Sequence, residues 1–198
     1  MTTIYTSASV SADGYIAGPG ESGLNHLFHW TTNGDTPPDI GMDLPMRMST
    51  PSARYYTDML KATGALLVGR RLYDLTNGWG GRHPLRCPVV VLTHQAPLTG
   101  DTDHFTFITS GITTAVTTAR ELAAGRNVAV NAGSIASQCL EAGLLDEIRM
   151  DVVPVLLGGG IPYFSLFGAA PIPLEHKETI TGDGVTHLRY RVSRRPSP

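Results

Sequence analysis

Residues 127–164 read N-V-A-V-N-A-G-S-I-A-S-Q-C-L-E-A-G-L-L-D-E-I-R-M-D-V-V-P-V-L-L-G-G-G-I-P-Y-F. Val128, Ala129 and Val130 form a short apolar run bounded by turn residues, the pattern of a buried strand. Asn131-Ala132-Gly133 is a turn where the backbone can approach a neighbour closely. Ser134 stands in a helix-capping position, and Ile135, Cys139 and Leu140 give the helix after it an apolar stripe that Gly143 ends. Ile148 to Leu157 reads as a second, longer strand, broken by Gly158-Gly159-Gly160. Strand, glycine turn, helix and strand make a βαβ unit. Such a unit points backbone N–H groups and a helix N-terminus at one spot, which suits a phosphate. A plain βα connection with no ligand uses the same residues, so the turn alone does not decide between them.

The 198 residues are enough for one domain with a full core, and a single domain over 1–198 is expected. At 41% hydrophobic and 16% charged residues the chain reads as globular, with much buried surface. A formal charge of −2 gives no electrostatic case for nucleic acid or an anionic membrane. Cys87 and Cys139 form no paired motif, and Cys139 on an apolar helix face reads as a reduced core thiol. The N-terminus shows no basic or apolar leader, and no apolar run is long enough to span a bilayer. A cytoplasmic enzyme or binding domain is the expectation.

Working outward, Ile4 to Ser11 alternates and is rich in β-formers, so it reads as a strand. Asp13-Gly14 turns the chain, and Tyr15-Ile16-Ala17 resumes extended structure. Residues 18–47 are irregular, as a functional or mobile loop is, and carry His26, His29 and Trp30. Thr50-Pro51 is a helix start. Tyr55 and Met59 share one face of that helix, Tyr56 and Leu60 another, and Gly64 closes it. Ala65 to Val68 is continuously apolar, as a strand covered on both faces would be. It leads through Gly69-Arg70-Arg71 into a short helix from Leu72 to Asn77. Residues 78–84, with Trp79 and His83, read as a loop. Pro88 to Leu92 and Phe105 to Ile108 are further strands. Ile112, Ala115, Val116, Ala119, Leu122 and Ala123 mark one face of a helix stopping at Gly125. Leu174 to Thr181 and Val185 to Val192 flank Gly182-Asp183-Gly184 as a hairpin. Leu188, Tyr190 and Val192 are expected on its apolar face, opposite His187, Arg189 and Arg191. Residues 193–198 read as a frayed tail. The order predicts a three-layer α/β/α domain with a mixed, mainly parallel central sheet and a C-terminal antiparallel hairpin.

Three strands end in Gly69-Arg70-Arg71, Thr93-His94 and Asn131-Ala132-Gly133-Ser134. In an open α/β sheet, ligands bind beyond the carboxyl ends of the strands, so these turns are expected to line one crevice. Two arginines can pair phosphate oxygens, Thr93 and His94 add a hydroxyl and an imidazole, and the third turn supplies backbone donors. Together they suit a dinucleotide with an extra phosphate. Walker A, G-x-G-x-x-G after a strand, zinc-hydrolase spacings and G-x-S-x-G are all absent. No metal is expected. His104, His176 and His187 read as surface or sheet histidines.

S-A-D-G-Y-I-A-G (Ser11 to Gly18), A-L-L-V-G-R-R-L-Y-D (Ala65 to Asp74), P-V-V-V-L-T-H (Pro88 to His94) and L-L-D-E-I…V-P-V-L-L-G-G-G (Leu144 to Gly160) together carry a resemblance. In order and content they resemble the dihydrofolate-reductase-like family. The branch is the one with the C-terminal reductase domain of the riboflavin-pathway deaminase/reductase, and the likeness runs from about Ile4 to Val192. It implies an NADPH-dependent reductase. By its motifs, Gly69, Arg70 and Arg71 would hold the pyrophosphate and ribose phosphate, and Thr93 and His94 would flank the 2′-phosphate. Gly133, Ser134 and Ile135 would lie under the pyrophosphate. Backbone groups of Ser9 and Ile16 would meet the nicotinamide carboxamide, with Asp13 and Gly14 opening the loop over it. The zinc signature of the deaminase half is absent.

The sequence departs from that pattern at three places. Leu72 stands where a threonine is usual after the arginines. Asn131-Ala132 replaces a Gly-Gly pair, and Ala53 lies near the place where folate reductases carry an acid. The expected activity is reduction of a small pterin-, pyrimidine- or riboflavin-precursor-like heterocycle, with Trp30, Tyr56 and Tyr163 as walls for the ring. Asp13 and His29 are the candidate proton donors, and Asp58 reads as a solvated helix residue. A non-catalytic nucleotide-binding protein on the same fold is the alternative. A homodimer is expected from the apolar run 152–157, the segment 162–164 and the terminal hairpin.

Overall fold

The computed structural model describes residues 2–41, 45–97, 104–165 and 171–193. The expected tail lies outside them from residue 194 onward, as do residues 42–44 of the expected long loop. The strands are β1 (Ile4–Ser11), β2 (Tyr15–Ala17), β3 (Thr63–Gly69), β4 (Val89–Leu92), β5 (Phe105–Ile108), β6 (Asn127–Val130), β7 (Glu147–Val153), β8 (Ile161–Pro162), β9 (Leu174–Gly182) and β10 (Val185–Val192). The helices are α1 (Leu24–Leu27), α2 (Thr50–Ala62), α3 (Arg70–Leu75), α4 (Ile112–Leu122) and α5 (Ser134–Glu141). Short 3₁₀ turns occupy Pro19–Glu21, His29–Thr31 and Asn77–Gly81. Hydrogen bonds order the main sheet β5-β4-β3-β6-β1-β7-β10-β9, and β2 pairs with β8. The expected mixed, mainly parallel α/β sheet with an antiparallel C-terminal hairpin is what forms.

The chain divides into two compact units: residues 1–6 with 62–146, and residues 7–61 with 147–198. In the first unit β1, β6, β3, β4 and β5 run parallel, with Ile4 opposite Val128, Leu67 opposite Val130 and Gly69 opposite Leu92. Six successive residues of β3 are buried, so both of its faces are covered. Leu66, Val68, Val89, Val91 and Phe105 form one core, against which Leu72, Tyr73 and Trp79 pack. In the second unit Leu27, Trp30, Met48, Ala53, Val153 and Val185 form another, with Tyr56 against it. There β10 pairs antiparallel with β7 and β9.

Several local expectations are corrected. Gly64 does not close α2; it lies buried within β3, where a Cβ would press on the Ala123 carbonyl and lie 2.7 Å from Arg126 Cβ. Only glycine fits that crossing, so its signal was packing rather than helix termination. Ser49, not Thr50, supplies the first helical carbonyl of α2, accepting from Ala53 N–H at 2.9 Å. Ser134 is the first residue of α5 and makes no cap; Gly133, at φ 83°, holds the cap position. The strand expected to reach Leu157 stops at Val153, because Pro154 has no N–H for a ladder. On β10 the fully buried side chains are Val185 and His187, while Leu188, Tyr190 and Val192 are half-buried. The face expected to be polar therefore points inward at the start of the strand.

Candidate cofactor and substrate sites

In the first unit the three strand-end turns meet. A Cβ on Gly69 would lie 3.2 Å from Ile135 Cγ1, so the first turn touches the start of α5. Asn131 N–H donates to Leu67 O at 2.9 Å, tying the third turn to β3. Arg70 Nη1–H donates to Gln95 O at 3.0 Å, tying the first turn to the second, and Arg70 Nε–H donates to Asp74 at 2.7 Å. Thr93 is buried and its hydroxyl donates to Gln95 O at 3.0 Å, while His94 and Arg71 are exposed. Gly69, Arg70, Arg71, Thr93, His94, Gly133, Ser134 and Ile135 thus belong to one unit and cluster at the carboxyl ends of adjacent parallel strands. Leu72 turns into the core beneath them, and the Ala132 methyl is buried, so neither side chain stands over the turns.

The other expected residues lie in the second unit. A cleft of about 450 Å³ there is lined by Asn25, His26, His29, Trp30, Val153, Pro154, Val155 and Gly184. Trp30 is 2% exposed, donates from Nε1 to Ser9 Oγ at 2.9 Å, and meets Tyr56 edge-on at 5.7 Å. Tyr163 is buried and its hydroxyl donates to Arg149 O at 2.7 Å; its N–H donates to Gly14 O. It is a tie between segments of this unit. Ile16 is half-buried in β2.

Of the two candidate proton donors, His29 lines the cleft. Asp13 is occupied otherwise. Ser11 Oγ–H donates to it at 2.6 Å, and Leu157 N–H and Gly158 N–H donate at 3.1 and 2.7 Å. The Ser11 hydrogen bond, with the two backbone donors, holds the Asp13 carboxyl below its usual pKa. A carboxylate held ionised in this way binds the 157–158 backbone and is a poor source of protons. Ala53 is buried in α2, and Asp58 is exposed. Among the described residues, no group of three His, Cys, Asp or Glu side chains could hold a metal ion.

One polar constellation escaped the sequence reading. His187 Nδ1 meets Asp151 Oδ1 at 2.7 Å, and His187 Nε2 meets Ser52 Oγ at 2.9 Å. All three side chains are buried. The signal available was register: in the β7–β10 ladder His187 is the direct partner of Asp151, and opposite residues on one face interact. Burial pushes the Asp151 carboxyl up, against the pull of His187 and Arg149.

A mixed, mainly parallel sheet closed by a terminal antiparallel hairpin defines the class: an α/β protein, with the fold of dihydrofolate-reductase-like structures. A model of the RibD C-terminal domain matches residues 2–187, and the chain belongs to that family. A Shewanella sp. PV-4 protein provisionally assigned to riboflavin biosynthesis superposes with a TM-score of 0.73 at 19% identity, over 98% of this chain and 100% of that one. The Thermotoga maritima diaminohydroxyphosphoribosylaminopyrimidine deaminase/5-amino-6-(5-phosphoribosylamino)uracil reductase gives 0.61 at 15%, over 97% of this chain and 57% of its own. Dihydrofolate reductase from Enterococcus faecalis, in complex with NADP(H), gives 0.57 at 13%, over 97% of both chains. At these identities the likeness establishes the fold. No curated protein matches the sequence. No helix among the described residues is long and apolar enough to cross a membrane.

Proposed function

We propose that this protein is an NADPH-dependent reductase of a small planar heterocycle, pterin-, pyrimidine- or riboflavin-precursor-like. The observation that carries the reading is the junction of three strand ends in the first unit, where Gly69 meets Ile135 and Arg70 bonds to Gln95. The donor set fits a dinucleotide with an extra phosphate. Gly69 and Gly133 let backbone come close, Arg70 and Arg71 offer charge-assisted bonds, and Thr93 and His94 flank a 2′-phosphate. Bound there, NADPH supplies the hydride. Trp30 would back the cleft behind the substrate ring, with Tyr56 and Tyr163 supporting the segments around it. His26 and His29 both line the cleft, and His29 is the one proposed to carry a proton to the substrate.

Family membership and the fold of known reductases support this reading. The test is NADPH oxidation, followed by absorbance, across a panel of pterins, riboflavin precursors and quinones. Turnover of one class supports it. A second reading, a non-catalytic NADP(H)-binding protein, is favoured by Ala53 standing near the place of the folate reductases' acid and by the commitment of Asp13 to the 157–158 backbone. Tight NADPH binding without turnover over the whole panel would select it.

A further inference from the structure

The Ser52–His187–Asp151 group lies in the second unit, and the strand-end turns belong to the first. Its atoms stand in the order of a hydrolytic triad, in which a base activates a reachable serine. Here Ser52 is 1% exposed, so no carbonyl can reach its oxygen. The group must do something else, and its hydrogen bonds show a direction. Asp183 N–H donates to Ser49 Oγ at 3.3 Å, and Ser49 Oγ–H donates to Ser52 Oγ at 3.0 Å. The Ser52 proton then has His187 Nε2 as its acceptor, and the remaining imidazole proton, on Nδ1, goes to Asp151. Each donor has one acceptor in this arrangement. An imidazolium would give Ser52 Oγ two incoming protons and leave its own without a partner in the chain.

This chain ends behind the cleft. His187 stacks on Tyr55 at 4.5 Å and meets the Trp30 ring edge-on at 5.1 Å, and Trp30 lines the cleft. The hairpin turn is drawn into the same device. A Cβ on Gly182 would press directly on Ser52 Oγ, and Gly184 is on the cleft lining. Asn33 Nδ2–H donates to Asp183 O at 3.1 Å, fixing the turn from the loop that bears Trp30.

We propose that Asp183, Ser49, Ser52, His187 and Asp151 form a one-way hydrogen-bond chain that positions Trp30 for a ring bound in the cleft, with His187 as the positioning residue. The link to ligand rests on the reading that this cleft takes the substrate ring; the chain and its hold on Trp30 do not.

The experiment uses the full chain with Trp79→Phe, which leaves Trp30 as the one tryptophan, and compares it with the same protein carrying Ser52→Ala. Nitrogen-15 NMR of the histidines reads the tautomer, Trp30 emission reads its surroundings, and quenching by pterin and by NADPH reads binding. The expected result is one protonated and one bare nitrogen on His187 at neutral pH. Ser52→Ala shifts the Nε2 resonance and the Trp30 emission maximum. It weakens pterin binding about tenfold and leaves the NADPH dissociation constant unchanged. A doubly protonated His187, or Trp30 emission unchanged by Ser52→Ala, overturns the proposal. Equal loss of pterin and NADPH binding also overturns it, since a general loss of structure would do the same. If pterin fails to bind the unsubstituted protein, the substrate reading of the cleft falls. The NMR and emission results then still decide whether the chain holds Trp30.

Discussion

Gly69 and Ile135 are separated by only the space a hydrogen atom needs: a methyl on Gly69 would lie 3.2 Å from Ile135 Cγ1 and 3.3 Å from its Cδ1. The contact joins the end of β3 to the first turn of α5. Gly69→Ala requires the Ile135 side chain to give by a few tenths of an ångström, and a net cost of up to about 1 kcal/mol is expected. It should also weaken NADPH binding. Ile135→Val in the same chain should recover part of both losses, read by thermal melting and fluorescence titration. A Gly69→Ala protein with unchanged melting and binding would show that the turns need not touch.

NADPH should bind at least about tenfold more tightly than NADH, or ~1.4 kcal/mol. On the proposed assignment, bonds from Arg70, Arg71 and His94 to a 2′-phosphate would supply the difference, reduced by solvent and salt. Arg70→Ala should erode that preference, since Arg70 also ties the first turn to Gln95. Equal dissociation constants for the two cofactors in the unsubstituted protein would remove these residues from the phosphate.

Dihydrofolate should be a poor substrate. Ala53 is buried in α2, near the place where the family resemblance would put an acid, Asp13 is engaged by the 157–158 backbone, and Asp58 is exposed on α2. A turnover number on the order of 10 s⁻¹ with dihydrofolate and NADPH, the ordinary value for an enzyme on its own substrate, would overturn this. Loss of that rate in Asp58→Asn would then locate the acid.

Burial lowers the His83 pKa from the usual 6.5 to about 4, and its Nδ1 accepts from Leu85 N–H at 3.2 Å. The unfolded chain binds this proton more readily than the folded one. His83 therefore contributes stability that is whole above pH 6.5 and lost as pH falls toward 4. Each unit is about 1.4 kcal/mol, and partial exposure reduces the total to roughly 1–2 kcal/mol. His83→Asn keeps an acceptor without a titrating ring. Urea titrations at pH 7 and 4.5 should show a smaller pH difference in that variant; an identical difference would place the acid sensitivity elsewhere.

A homodimer is expected in solution. Leu156 and Leu174 are 75% and 42% exposed, and β9 is an edge strand. Light scattering at micromolar concentration should give twice the 21.2 kDa chain mass, and a 21.2 kDa particle would count against it.

The centre of the parallel half of the sheet could be read from sequence because β3 and β4 are apolar runs, each followed by a glycine or hydroxyl turn. Ala65–Val68 and Val89–Leu92 needed nothing else. The strand-end turns were visible for the same reason: they are what interrupts those runs. Ser52, Asp151 and His187 were not visible, because three polar residues from distant segments meet only once β7 and β10 take their register and α2 its phase. His187 is the sheet histidine expected, but its inward side was missed, since strand alternation assigns faces but not which face is inward. Pro154, by contrast, was an available stop signal that the apolar run around it concealed.

The first strand has a further consequence, for the order of events as the chain leaves the ribosome. Thr3 N–H donates to the Asn127 side chain, and Ile4 N–H to Asp146, 142 residues away. Ile4 to Thr6 pair with Val128 to Val130. At about 5–20 residues per second of synthesis, β1 waits roughly 7–30 s for these partners. During that interval the backbone N–H and C=O groups of β1 lack their sheet partners, and completing the sheet requires this long-range return.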